Sequence, residues 1–216
     1  MRRPPELHPA LSLDDLVANG TMTPEIAAVL RSAAEERRSF LVHAIPRFAG
    51  KSTVMRAILA HAPATAPMQI VLGDGSDADQ LLTRSRDGYI VIPEISEGAW
   101  APGYIWGDPV RRIFNGLERG VSLATALHAP AIDDAFAIIC GRNGVPDADA
   151  ARLELVVYLR SLGPEVETPE RRVVDSVHEV HGVANGQPQA RLLFRWNEDA
   201  DRFEAFDAPQ RIGRGR

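Results

Sequence analysis

Residues 40–53 read Phe40-Leu-Val-His-Ala-Ile-Pro-Arg-Phe-Ala-Gly-Lys-Ser-Thr53 and place an apolar run shortly before a glycine-lysine-serine turn. The run at 40–44 predicts a buried strand, because short continuous apolar segments are typical of strands covered on both faces. A helix is predicted from Lys51 to His61, with apolar residues at Val54, Ile58 and Leu59. This strand, loop and helix form the first part of a βαβ unit.

Strands and helices alternate on both sides of this unit. Thr23-Pro24-Glu25 supplies an N-cap, a proline at the first helical position and an acid in the first turn, and Ser12 caps a shorter helix. Further strands are predicted at 68–72, 89–92 and 121–127, and further helices at 77–83, 108–118 and 132–140. After residue 152, β-rich segments at 153–160, 171–181 and 191–196 indicate a C-terminal β meander. The expected fold class is α/β, a mainly parallel sheet with helices on both faces.

The length of 216 residues favours one domain with a short lead-in. We divide the chain into an N-terminal helical lead-in at 1–38, a core at 39–208 and a tail at 209–216 that is expected to be disordered.

Composition excludes several classes of protein. The net charge of −5 argues against a dedicated nucleic-acid binder, and the arginine pairs at 37–38, 111–112 and 171–172 are predicted to be solvated surface. The single cysteine, Cys140, excludes an internal disulfide and a cysteine-based zinc cluster. No signal peptide is visible and no apolar stretch is long enough to span a bilayer, so membrane insertion is not expected. A cytoplasmic location is expected, either free or peripheral at the inner face of the membrane.

Ala49-Gly50-Lys51-Ser52-Thr53 lies between a predicted strand and a predicted helix, which is the context of a phosphate-binding P-loop. Backbone N–H groups at a helix N-terminus favour phosphate, Lys51 would reach the β- and γ-phosphates, and the Ser52 hydroxyl would bind Mg²⁺. The motif's first glycine position is occupied by Ile45. By itself, a Gly-Lys-Ser before a helix is equally compatible with a chance surface turn.

Polar side chains follow the other predicted parallel strands. Lys51, Asp74, Glu94 and His128 fall at or just beyond strand ends, where ligand sites of such sheets lie, so they are expected to converge. Glu94 ends an apolar strand, as a carboxylate that orders Mg²⁺ or an attacking water would. It is equally compatible with a strand-end surface residue, and His128 with a core histidine bonded to a backbone carbonyl.

The order of these features resembles the type II/IV secretion and pilus-assembly ATPases over residues 12–206. The segment Leu82-Thr-Arg84-Ser-Arg86-Asp87, running into Tyr89-Ile-Val-Ile-Pro-Glu94, looks like that family's arginine segment followed by its Walker B strand. Gly120 and His128, eight residues apart, look like its His box.

The resemblance implies a RecA-like core with ATP and Mg²⁺ as cofactors. It makes Glu94, His128 and Arg84 the catalytic candidates, with His128 sensing the γ-phosphate and Arg84 contacting a phosphate or a neighbouring subunit. Nucleotide contacts would come from 49–53 and Asp74, and metal contacts from Ser52 and Glu94. It also implies a hexameric ring and partners among inner-membrane secretion or pilus components.

Departures from the family pattern cluster at the chemistry. They are Ile45 for a glycine, Gly73 for the first acid of an acidic pair, Pro93 for a glycine, Ser96 for an arginine, Val121 for a histidine and Pro130 for an asparagine. A working ATPase is therefore weighed against a non-hydrolysing assembly or regulatory subunit. A P-loop kinase or phosphotransferase ranks last, because the β meander and the lack of an arginine-rich lid disfavour it.

The loop at 96–107 carries Trp100, Tyr104 and Trp106. Exposed aromatic side chains of this kind often mark a binding surface. A cluster packed beneath its own loop explains them equally well.

Overall fold

The computed structural model describes residues 11–45, 49–98, 101–164 and 169–214. The strands of this part of the chain are β1 (Phe40–Ala44), β2 (Met68–Ile70), β3 (Tyr89–Ile95), β4 (Tyr104–Ile105), β5 (Ser122–Leu127), β6 (Leu155–Leu162), β7 (Arg171–Ala184), β8 (Gln187–Asn197) and β9 (Arg202–Ala205). Its α-helices are α1 (Leu13–Ala18), α2 (Pro24–Glu35), α3 (Lys51–Leu59), α4 (Ala78–Arg84), α5 (Asp108–Gly116), α6 (Ile132–Phe136) and α7 (Asp147–Ala150). A 3₁₀ turn at Leu117–Arg119 extends α5, and a π-helical turn at Ala137–Arg142 extends α6.

All strands belong to one sheet in the order β2-β3-β5-β1-β6-β7-β8-β9, and β4 pairs with the end of β3. The pairs β2–β3, β3–β5, β5–β1 and β1–β6 are parallel. The pairs β6–β7, β7–β8 and β8–β9 are antiparallel. The structure thus confirms the α/β class with a mainly parallel sheet and a C-terminal meander. Because β1 is central, with β5 on one side and β6 on the other, the turn that follows it lies in the middle of the sheet edge.

Helices cover both faces of the sheet, which explains the continuous apolar run of β1. Phe40, Val42 and Ala44 pack into one core with helices α1, α2 and α3. Leu41 points to the second core, which includes α4, α5, α6 and α7. A strand buried on both faces has no need for polar alternation.

The predicted helix starts are confirmed. Ser12 and Asp15 form a reciprocal capping box at α1. Thr23 accepts a hydrogen bond from the Ile26 N–H, and Pro24 opens α2. These caps satisfy N–H groups that a helix leaves unpaired at its first turn. The two helices pack on each other and on α3, so the lead-in belongs to the body of the domain.

The end of the chain differs from the predicted disordered tail over its described part. The buried Glu179 carboxylate accepts backbone N–H groups from Gln210, Arg211 and Ile212 at 2.8, 2.8 and 3.1 Å. Ile212 is 2% exposed. Burial raises the pKa of Glu179, but the three backbone hydrogen bonds outweigh it and leave the pKa below its usual value. A carboxylate on another strand therefore holds this segment, which its own sequence does not reveal.

One arginine of the three pairs is also buried against expectation. Arg38 is 8% exposed and forms ion pairs with Glu36 and Glu154 at 2.9 and 2.8 Å. Its guanidinium also donates to the Arg211 carbonyl. Arg38 thus ties the lead-in to the strand region and the chain end.

Candidate functional site

A cavity of about 710 Å³ opens at the carboxyl edge of the parallel strands, beside the start of α3. Its volume lies in the range of small-molecule sites. The described residues that line it are Leu11, Leu16, Asn19, Thr21, Ala49, Gly50, Lys51, Ser52, Thr53, Val54, Glu94, Tyr104, His128, Glu170, Arg171 and Arg172. The predicted phosphate turn, Glu94 and His128 therefore share one cavity.

Gly50 shapes the start of α3. It is the N-cap of this helix and has a φ of 95°, in the left-handed region that favours glycine. Its carbonyl accepts from the N–H groups of Thr53 and Val54, so the helix begins directly at Lys51. Ile45, at the position of the missing glycine, is 44% exposed. The loop residues 46–48 lie outside the described residues.

Lys51, Glu94 and His128 form a contiguous polar cluster. The Lys51 Nζ lies 3.4 Å from Glu94 Oε2 and 3.0 Å from His128 Nε2. His128 Nε2 lies 3.0 Å from Glu94 Oε1, and its Nδ1 lies 3.2 Å from the Ala44 carbonyl. The side chains of Lys51 and Glu94 are each only 8% exposed. Three residues from three different parts of the chain thus meet at the helix start.

The electrostatics of this cluster keep Glu94 ionised. Burial raises the pKa of Glu94, but the hydrogen bond with His128 and the charge of Lys51 act against it and leave the pKa below its usual value. A buried carboxylate that stays charged at neutral pH can bind a cation, orient water or accept a proton.

Lys51 is the only lysine in the sequence, in which all the other basic residues are arginine or histidine. Its ammonium is compact, whereas a guanidinium is a broad planar fork. The chain's one lysine therefore occupies a buried position at a helix N-terminus, beside Glu94 and His128.

Pro93 explains how Glu94 reaches the cavity. The register between β3 and β5 shifts from Ile92↔Thr125 to Ile95↔Leu127, which leaves one extra residue on β3. Proline has no N–H to donate to a ladder, so a bulge accommodates it. The irregularity spans Pro93 and Glu94, and Glu94 pairs with Tyr104 of β4. The proline that departs from the family pattern thus belongs to a local change of strand geometry at the site.

The structure does not bring two predicted site residues into the cavity. Asp74 is exposed beyond β2, and its carboxylate accepts the Ser76 N–H at 2.9 Å. That hydrogen bond holds the pKa of Asp74 below its usual value. Arg84, at the end of α4, is exposed and lines a separate surface depression with Asp79, Gln80 and Thr83. Both residues lie toward the β2 side of the sheet, away from β1.

Other cavity residues were not singled out as site residues from the sequence. Leu11, Leu16, Asn19 and Thr21 place the lead-in on one wall, and Arg171 and Arg172 come from β7. Of the aromatic loop, Tyr104 lines the cavity, whereas Trp106 packs under the Arg142 guanidinium at 5.0 Å. Trp100 lies outside the described residues. These contacts join distant parts of the chain, so no local motif signals them.

Three solved structures share this architecture. One is the VirB11 ATPase of the Brucella suis type IV secretion system in complex with sulphate, with a TM-score of 0.51 and 18% identity over 80% of this chain and 57% of that one. Another is the Legionella pneumophila ATPase DotB, with a TM-score of 0.54 and 11% identity over 79% of this chain and 51% of that one. The third is the Yersinia pseudotuberculosis ATPase DotB, with a TM-score of 0.53 and 10% identity over 76% of this chain and 48% of that one.

The chain has the fold of these type IV secretion ATPases. It spans about half the length of the structures it matches. No protein-family model and no curated protein sequence matches it.

Two features of the fold bear on ligands and membranes. The described residues contain no group of three or more histidine, cysteine, aspartate or glutamate side chains that would hold a metal ion. Across the same residues, no helix combines the length and the apolar character needed to cross a bilayer.

Proposed function

We propose that this chain binds ATP and hydrolyses it with Mg²⁺, as a relative of secretion and pilus-assembly motors. The observation that carries the proposal is the cluster of Lys51, Glu94 and His128 in one cavity at the N-terminus of α3. The fold shared with VirB11 and DotB supports it. The proposal extends to assembly into a ring and to docking on inner-membrane components of such a system.

The phosphate chain would lie along the turn at Gly50 and the first residues of α3. The unpaired N–H groups and the dipole of a helix N-terminus favour an anion there. The Lys51 ammonium would move from Glu94 toward the β- and γ-phosphates. That exchange of partners would leave the Glu94 carboxylate available to a metal ion or to water.

The residues present fit a magnesium ion. Ser52, exposed on the first turn of α3, and Glu94 line the same cavity, and both offer oxygen ligands. Mg²⁺ is commonly held by one or two protein oxygens together with substrate phosphates. When bound, the ion would neutralise charge on the phosphates.

Hydrolysis would rely on Glu94 and His128. Glu94 would orient the attacking water and accept its proton, and His128 would remain within hydrogen-bond distance of Glu94 and report on the terminal phosphate. Arg84 lies outside the cavity, so its proposed phosphate contact would be made in the site of a neighbouring subunit. The rate of ATP hydrolysis per chain should then increase with protein concentration, as subunits assemble.

A non-hydrolysing assembly or regulatory subunit is the second candidate. Asp74, the remaining member of the acidic pair, lies outside the cavity lining, and Gly73 stands in place of the other. Loss of one preorganised catalytic group commonly costs ~10²–10³ in rate. Tight Mg-ATP binding without turnover at any protein concentration would favour this candidate over the first.

A thermal-shift titration with Mg-ATP tests the binding site. Ligand at 100 times its Kd adds ~2.7 kcal/mol, or roughly 5–10 °C in Tm for a chain of this size. The shift is expected in the wild type and in the surface variant Arg195→Ala, but not in Lys51→Ala. The absence of a shift in the wild type would refute the proposal.

The single lysine offers an independent measurement. Reductive methylation has one ε-amine to modify in this chain, at Lys51. Peptide mass spectrometry should show that Mg-ATP slows this modification while adenosine does not. Equal methylation rates with and without Mg-ATP would place the nucleotide elsewhere.

A further inference from the structure

The hairpin of β6 and β7 rises beyond the end of β1. Ala44, the last residue of β1, pairs with Leu159 of β6, which in turn pairs with Val174 of β7. Strand β6 continues to Leu162, and Arg172 pairs with Ser161, two residues beyond Leu159. At about 3.3 Å per residue, the backbone of Arg172 therefore lies about 7 Å above the end of β1. This places an arginine over the turn that begins α3.

Arg172 also lies against that turn directly. A methyl group placed on Gly50 would lie 3.1 Å from Cδ and 3.7 Å from Nε of Arg172. The end of the Arg172 side chain, from Cδ to Nε, therefore lies beside the N-cap of α3. Arg172 lines the cavity together with Lys51 and Ser52. A side chain at position 50 would crowd this arginine, so the close approach is suited to glycine.

The neighbouring Arg171 is differently placed. It forms an ion pair with Asp201 at 2.6 Å, and its guanidinium lies over Trp196 at 5.8 Å from the ring centroid. Its NH2 also donates to the Gly20 carbonyl at 3.5 Å. Arg171 thus fastens β7 to β8 and to the lead-in, whereas Arg172 is the one whose stem crosses the helix start.

The cavity lining carries cationic and anionic side chains at this end, and one of the cations, Arg171, is paired with Asp201 outside the lining. Its described residues carry three cationic side chains, Lys51, Arg171 and Arg172, and two carboxylates, Glu94 and Glu170. Glu94 is paired with Lys51 and His128. An arginine provides a planar fork of donors that matches a phosphate group, which a lysine does not.

From these observations we propose that Arg172 binds the phosphate chain of the nucleotide, as a cation supplied by the antiparallel half of the same chain. This inference rests on the proposed function. Arg172 would approach the phosphate chain from strand β7 and act together with Lys51. It would also supply donors near the turn in which Ile45 replaces a glycine.

The test measures Kd for Mg-ATP by calorimetry in the wild type, Arg172→Ala, Arg172→Lys and Arg195→Ala. Arg195 is the matched control, because it also lies in the antiparallel strands and is placed over the Phe206 ring rather than in the cavity. Loss of a charge-assisted hydrogen bond to phosphate is expected to raise Kd about tenfold or more in Arg172→Ala. Arg172→Lys should recover part of the affinity, and Arg195→Ala should match the wild type.

A merely structural role is distinguished by two readouts. If Arg172 binds phosphate, the dependence of Kd on salt concentration becomes weaker in Arg172→Ala, while the Tm without ligand stays near that of the wild type. Should Arg172→Ala fail to fold, Arg172→Gln is measured in the same way.

The outcomes separate this inference from the function on which it rests. If Lys51→Ala abolishes binding and Arg172→Ala leaves Kd within twofold of the wild type, the inference is overturned and the nucleotide site stands. If the wild type itself binds no Mg-ATP, both are overturned.

Discussion

Glu94→Gln tests how the polar cluster contributes to the stability of the ligand-free chain. In the wild type, the Lys51 ammonium and the Glu94 carboxylate lie 3.4 Å apart, and each side chain is 8% exposed. The substitution keeps the shape of residue 94 but removes its charge. Lys51 then remains a buried cation without its carboxylate, so we expect the free energy of unfolding to fall.

The magnitude follows from the burial of the pair. Removing one partner of a buried ion pair costs about 3–5 kcal/mol. The cavity is open to water and the His128 side chain is 29% exposed, so the lower end applies, about 3 kcal/mol. For a chain of this length, that corresponds to a decrease of roughly 6–12 °C in Tm.

The assay is urea unfolding at pH 7.5 for the wild type, Glu94→Gln, Lys51→Met and the double variant. Removing both charges removes the interaction between them, so the single losses should not add, and the double variant should recover about 2 kcal/mol of their sum. Glu94→Gln within 0.5 kcal/mol of the wild type would refute the reasoning, and so would additive single effects. Either result would mean that water already solvates this cluster.

Three further predictions concern two buried histidines, the end of the chain and the turn at Gly50. Burial holds the pKa of His43 and of His178 at about 4 in the folded chain against 6.5 in the unfolded one, so the unfolded state binds more protons as the pH falls below 6.5. The free energy of unfolding should decrease by up to about 1.4 kcal/mol per pH unit for each histidine down to pH 4, and urea titrations should show about half that slope in His178→Gln. Glu179→Gln should cost about 1–3 kcal/mol and speed deuterium exchange at 210–212, and unchanged exchange would contradict the anchoring of this segment. Gly50→Ala should lower stability by about 1–2 kcal/mol, because φ is 95° there, and an unchanged Tm would show that the turn tolerates a side chain.

Local patterns in the sequence account for most of the individual elements. The apolar run of β1 begins and ends where predicted, and Thr23 and Pro24 start α2 as expected. Caps and periodicity act between residues a few positions apart, so the sequence states them directly. By contrast, β4 and β9 are two and four residues long and exist through pairing with β3 and β8. Elements this short have no pattern of their own.

Some features of the candidate site were also predictable from the sequence, and others depend on the sheet order. The glycine-lysine-serine turn between a strand and a helix was visible in the sequence, and the order of strand ends pointed to Glu94 and His128. The sheet order then decides which strand ends are neighbours. Strand β5 lies next to β1 and β3 lies next to β5, so their ends reach the cavity, whereas Asp74 follows β2 at the edge of the sheet and stays outside the cavity.

The sequence by itself determined an α/β chain with a glycine-lysine-serine turn after its first strand, because these features depend on neighbouring residues. Only the tertiary structure decided what surrounds that turn. Lys51 meets His128 across 77 positions of the chain, and Arg172 reaches Gly50 from the antiparallel strands. Such contacts depend on strand order and register, which the packing of the whole chain fixes and no local pattern encodes.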